Sequence, residues 1–170
     1  SEKTLLKQLS DCFEKVVVVL NTSSVIDTSW AKDEMDGIHV DAVLFVGYTG
    51  LQGGIGIADV LLGRVNPSGK TTDTWAKDIA DYPSTAGWDE KSFQAYTEDI
   101  FVGYRYFETF DPNYKKVNYE FGYGLSYTDF TVETKNFIER NDTVSVDAVV
   151  TNTGAVAGKE VVQMYVGAPQ

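Results

Sequence analysis

Asp89, Glu90, Glu98 and Asp99 lie in one stretch beside Trp88, Tyr96 and Tyr104. Glycoside hydrolysis needs two carboxyl groups, one as general acid and one as nucleophile or base. Aromatic rings are the surfaces on which sugars rest, so this segment is where such chemistry would sit. Glu98, or another of these loop carboxylates, is the candidate for such a role. Against it, Glu98 and Arg105 share a connected segment, and that spacing favours an ion pair fixing the loop.

A second stretch, "GRVNPSGKTT" at 63–72, invites a nucleotide reading. A phosphate loop needs Gly, four residues, then Gly-Lys-Ser/Thr, between a strand and a following helix. Five residues separate Gly63 from Gly69-Lys70-Thr71, and a helix precedes the loop while a strand follows it. A helix C-terminus presents carbonyls, which repel phosphate; the anion site forms where a helix begins. Gly63 reads instead as a left-handed helix stop, with Pro67 stiffening the turn. "GGIGIAD" matches a dinucleotide fingerprint only in part, because Asp59 stands where its third glycine would be. Close packing of helix on strand explains these glycines as well.

His39 is the single histidine, with no Cys, His or carboxylate cluster at ligand spacing, so no metal site is expected. No nucleophile elbow accompanies it either. Cys12 is the single cysteine and shares a helix face with Leu5, Leu9 and Phe13, so it reads as a buried core residue.

The elements that would carry these residues follow from periodicity. Residues 2–14 have helical spacing, and "KVVVVLN" (15–21) is a continuous β-branched run of the kind covered on both faces. A short helix is expected around Trp30, then a strand in "VDAVLFVGY" (40–48). Next come a helix within 49–63 with Ile57, Val60 and Leu61 inward, and a strand in "SGKTTDTW" (68–75). This alternation predicts an α/β domain with a mostly parallel sheet. From residue 76 the chain turns polar and aromatic without a period, and reads as a long loop followed by a Gly- and Tyr-rich linker. "FTVETKNFIE", "TVSVDAVVTNTG" and "KEVVQMYVGAP" then alternate like strands of an immunoglobulin-like sandwich.

Such a sandwich needs about seven strands, and a doubly wound sheet about five or six, so both ends of the chain read as cut. The alternative is a small complete protein with a three-stranded appendix. The hydrophobic fraction of 43% supports a packed core. The net charge of −11 opposes nucleic acid and, more mildly, anionic membrane surfaces as partners. No signal peptide or apolar run long enough to span a bilayer is visible, so a soluble polypeptide is expected and its compartment is unassigned. Two Asn-x-Ser/Thr sequons, at Asn21 and Asn141, are weak signals at this length.

Five blocks occur in order and in register: "KVVVVLNTSSVIDTSW", "VDAVLFVGYTGLQGGIGIADVLLGRVNPSGK", "YTEDIFVGYRYFETF", "YEFGYGLSYTDF" and "VTNTGAVAGKEVVQMYV". Together they closely resemble the C-terminal part of glycoside hydrolase family 3 enzymes, the β-glucosidases and their relatives. The resemblance implies a partial α/β/α sandwich with a mostly parallel sheet, followed by an incomplete fibronectin type III-like β-sandwich. By it, residues 1–77 are the latter part of the α/β sandwich domain and 78–124 an aromatic-rich connecting segment. Residues 125–170 are the first strands of the fibronectin type III-like domain.

The family's nucleophilic Asp lies in a Ser-Asp-Trp-like motif on a separate barrel, and its acid/base Glu in a Ser-Gly-Glu-Gly-like loop. Neither motif occurs here, so no catalytic residue is carried over. The implied chemistry is retaining hydrolysis of a terminal β-D-glucosyl unit, without metal or organic cofactor. The implied partners are a β-glucoside or cello-oligosaccharide, met through the complete enzyme, and the absent N-terminal barrel and sandwich regions. Open strand edges also raise the expectation of poor solubility and of self-association into a homo-oligomer. Two rivals stay open: a self-sufficient small glycosidase using a loop carboxylate, and a non-catalytic structural or carbohydrate-contacting domain.

Overall fold

The computed structural model describes residues 1–32 and 37–167, which fall into two compact units. The first comprises Ser1–Gly54 with Thr71–Phe121, and the second Ile55–Lys70 with the chain from Gly122 onward.

In the first unit, helix α1 (Glu2–Cys12) starts at Ser1, whose hydroxyl accepts the Thr4 N–H at 3.4 Å. The helix matches its period, but no residue of it is buried, and Cys12 is exposed rather than part of a core. Its anchors are polar instead. The Ser10 hydroxyl lies 2.9 Å from the Leu6 carbonyl and 2.7 Å from that of His39.

Strands β1 (Val17–Leu20) and β2 (Ala42–Phe45) pair in parallel, with Val17 opposite Ala42 and Leu20 opposite Phe45. The expected cover on both faces is absent among the described residues. Alternate β1 residues are half-buried, while Val17 and Val19 stay exposed. Helix α2 (Ser29–Lys32) lies in the connection between them and buries Trp30, whose indole N–H reaches the Asp27 carbonyl at 2.8 Å. The division between the units falls inside α3 (Gly53–Leu61). Ile57 and Val60 are half-buried there as expected, but Leu61 is exposed.

The strand expected over 68–75 shrinks to β3 (Trp75–Ala76). It pairs antiparallel with β4 (Val117–Tyr119), inside the stretch read as a linker. One of the three two-stranded sheets is therefore parallel. Side-chain bonds from Lys70 and Thr71 take the polar groups that a longer ladder would have used. The supposed structureless loop contains two 3-10 turns, Ile79–Asp81 and Pro83–Gly87, and the linker contains α4 (Tyr104–Phe110).

These short elements build a core. Ala76, Phe107 and Val117 are buried, with Tyr82, Tyr106 and Tyr114 packed against them. Tyr82 meets Phe107 edge-on at 5.7 Å, the geometry ring quadrupoles favour. Its hydroxyl donates to the Thr74 carbonyl and accepts the Ala76 N–H, each at 2.8 Å. Trp75 adds a second aromatic group, edge-on to Phe45 at 5.1 Å and to Tyr119 at 6.1 Å.

The second unit carries the hairpin of β5 (Phe130–Arg140) and β6 (Thr143–Asn152), with Phe130 opposite Asn152 and Arg140 opposite Thr143. The turn residues Asn141 and Asp142 have φ of 47° and 60°, as a two-residue type I′ turn requires. The register shifts between Lys135 and Ile138, where Asn136 also takes a positive φ of 51°. The third expected strand, 159–169, does not form over 159–167, and 168–169 lie outside the described residues.

Candidate functional site

The loop at 63–72 is built as a structural clamp. Gly63 ends α3 with φ of 69°, and the Arg64 N–H returns to the Asp59 carbonyl at 2.8 Å. No helix begins at Gly69-Lys70-Thr71, so no ring of free N–H groups faces an anion there. The Lys70 ammonium is turned inward, donating to the Gly124 carbonyl at 2.7 Å and pairing with Glu160 at 2.9 Å. Both charged side chains are mostly buried, at 15% and 17% exposure. Asn66 works beside it, accepting the Tyr127 N–H at 2.8 Å and donating to the Ala157 carbonyl at 3.1 Å. A Cβ on Gly124 would stand 2.2 Å from the Gly69 carbonyl oxygen, so the two backbones touch directly.

The loop carboxylates do not form a hydrolytic pair. Asp89, Glu90 and Asp99 are exposed, and Glu98 is half-buried. Glu90 accepts the Ser92 hydroxyl at 2.6 Å, and that bond holds its carboxyl below the usual range. A general acid needs the opposite shift. The Glu98 backbone carbonyl closes a turn with the Phe101 N–H at 2.8 Å, while its side chain makes no ion pair with Arg105 among the described residues. The loop-fixing ion pair expected from spacing is thus replaced by a backbone turn.

His39 has its Nε2 3.8 Å from Asp41 and its backbone N–H on the Ser10 hydroxyl at 3.0 Å. Asp41 is held below its ordinary value first by Lys15 at 2.7 Å and then by the Val16 N–H at 2.8 Å. That network ties α1 to the starts of β1 and β2. Among the described residues no group of three His, Cys, Asp or Glu could hold a metal ion, and no helix is long and apolar enough to cross a membrane.

Sequence reasoning missed a buried polar brace. The Asn118 amide donates to Ser29 Oγ at 3.0 Å and Thr28 Oγ1 at 3.4 Å, while Lys32 Nζ donates to the Asn118 carbonyl. Lys32 also lies 5.3 Å from the Tyr119 ring centre. The signal was the run Asp27-Thr28-Ser29 before Trp30, polar groups that cap a short helix, opposite a lone Asn between Val117 and Tyr119. Asn118, Thr28, Ser29 and Lys32 carry no carboxyl group, so their bonds brace the strand against the short helix.

Residues 1–127 match the family described as the glycosyl hydrolase family 3 C-terminal domain. Beta-glucosidase A of Butyrivibrio fibrisolvens is 44% identical over 100% of this chain and 22% of its own length. An exo-alpha-(1->6)-L-arabinopyranosidase of Bifidobacterium breve is 40% identical over 96% of this chain and 21% of its own. The crystal structure of a β-glucosidase from Paenibacillus barengoltzii superposes with a TM-score of 0.83 at 44% identity, over 90% of this chain and 17% of that one. The chain thus spans about a fifth of the length of the relatives it matches. With three quarters of its residues inside the matched region, the chain belongs to the glycoside hydrolase family 3 C-terminal domain family.

Proposed function

We propose that this chain is the C-terminal α/β portion of a β-glucosidase that releases terminal β-D-glucosyl units with retention, and that it supplies scaffold to that reaction. The observation that carries this reading is the 44% identity to a β-glucosidase along the whole chain, joined to the lack of a carboxylate pair among the described loop residues. The reacting acids then come from other parts of the polypeptide, and Glu98 has no catalytic role. Residues 1–77 form the latter part of a sandwich domain and 78–124 connect it to a fibronectin type III-like domain starting at 125. The antiparallel hairpin with its type I′ turn supports that last assignment.

The same stretch matches relatives named for two different sugars, a glucoside and an arabinopyranoside.

The test is hydrolysis of an aryl β-glucoside by the chain alone and by the chain joined to the N-terminal region of a relative. The expected result is no turnover alone and turnover once joined, with Glu98→Gln matching the parent. Turnover by the chain alone that disappears in Glu98→Gln would overturn the reading and establish the self-sufficient glycosidase.

A further inference from the structure

Residues 88–97 take no part in a buried core: all ten are exposed, and none lies in a helix or strand. We propose that the Phe93–Gln94 peptide bond is a cleavage site for an endoprotease with an apolar specificity pocket, and that the nicked protein persists as two pieces joined without a covalent link.

A protease takes its substrate as an extended segment, so it cuts where several successive residues leave the fold at little cost. From Lys91 to Ala95 no backbone group bonds another among the described bonds. The Ser92 N–H and hydroxyl turn to the Glu90 carboxylate two positions away, at 3.4 and 2.6 Å. Those bonds are local and exposed, so water replaces them when the segment is drawn out.

Three exposed rings of the segment suit an apolar pocket, and the backbone chooses between them. The Trp88 N–H is tied to the Thr85 carbonyl at 3.2 Å, and the Tyr96 carbonyl to the Asp99 N–H at 3.4 Å. Phe93 stands between them with neither tie. Phe45 on β2 and Phe110 on α4 are exposed too, but sheet and helix hold their backbones. Tyr48 is exposed in a shorter connection, fixed by β2 on one side and α3 on the other.

Cleavage would leave residues 1–93 and 94–170, and each unit is built from both. In the first unit Ala76 of one piece packs with Phe107 and Val117 of the other, and β3 pairs with β4. Lys116 reaches Asp81 there at 3.0 Å, and the Asn118 amide holds Ser29. In the second unit Lys70 pairs with Glu160, and Asn66 accepts the Tyr127 N–H. None of these contacts needs the peptide bond at residue 93. The step itself is hydrolysis: the C–N bond breaks, the oxygen of water ends in a Phe93 carboxylate, and the Gln94 nitrogen becomes an ammonium. The protease lends a nucleophile and a base and recovers both.

The experiment is brief exposure of the native 170-residue chain to chymotrypsin, read by intact mass and by gel filtration. Within residues 1–158 the first cut is expected after Phe93. The two pieces should elute with the uncut chain and part in urea. Phe93→Ala, at an exposed position that leaves the fold intact, should slow this cut at least about tenfold, because the pocket loses its ring. Phe93→Leu, still apolar, should restore most of the rate. A first cut after Tyr48 or Phe110, no cut in this region, an unslowed Phe93→Ala, or pieces that separate in native buffer would each overturn the proposal.

Discussion

The two units are held by different forces. Every buried hydrophobic residue among those described, from Val16 and Trp30 to Phe107 and Val117, belongs to the first unit. The second unit buries Thr128 and holds together through Lys70, Asn66 and the β5–β6 ladder, while Val132, Phe137, Ile138 and Val150 stay exposed. A core gains from apolar area removed from water, a clamp from a few charged hydrogen bonds. The first should lose most when a buried ring is removed, and the second a smaller amount when a clamp atom is lost.

That contrast is open to direct attack, because Trp30, Trp75 and Trp88 all lie in the first unit. Tryptophan fluorescence in urea therefore reports the core, and hydrogen exchange of β5 and β6 amides reports the clamp. The largest effect is expected from Phe107→Ala, which empties a site 1% exposed and should cost the first unit about 3–5 kcal/mol. An unshifted fluorescence midpoint would show that the aromatic cluster does not hold it together. Gly124→Ala comes next, pushing a Cβ against the Gly69 carbonyl and costing about 1–3 kcal/mol. It should speed β5–β6 exchange while leaving fluorescence nearly unchanged; equal effects on both probes would merge the two units into one. Lys70→Met should act on the same probe by about 1–2 kcal/mol, by removing the ammonium from Glu160 and the Gly124 carbonyl.

The smallest effect is one of pH. Glu160 is held below its ordinary value, first by the Lys70 side chain and then by the Val161 N–H. A carboxyl depressed in the folded state stabilises above its unfolded pKa, and that contribution is lost as pH falls through the folded value. Hairpin protection should therefore decline below about pH 4. In Lys70→Met this part of the acid sensitivity should shrink to what the Val161 N–H sustains; an unaltered acid profile would remove Glu160 from the clamp.

Much of the first unit was legible, and so was the end of α3 in the second. The apolar runs around Val17–Leu20 and Ala42–Phe45 became parallel strands, and Gly63 became the helix stop that its place after Leu61 and Leu62 suggested. Cover was not legible. Cys12 and Leu61 lie on apolar stripes that periodicity finds, but what packs on a stripe depends on distant residues. Helix α4 was hidden because "YRYFETF" is rich in aromatics, whose helical propensity is modest, and its stability comes from burying Phe107. The clamp was missed for a related reason. Lys70 and Glu160 are ninety positions apart, and no local pattern announces such a pair. At the candidate site, the helix that ends at Gly63 ahead of the loop was legible, whereas the supposed Glu98–Arg105 bond did not form.

The hairpin has a practical corollary. Its two-residue bend sits at the end of strands long enough, at about 3.3 Å per residue, to project some 30 Å. A foreign epitope spliced between Asn141 and Asp142 would replace the type I′ turn with a longer loop at the end of the β5–β6 ladder, where insertions are best tolerated. The tip is thus a natural attachment point for a dye or affinity tag, about a strand's length from the Phe130–Asn152 end of the ladder.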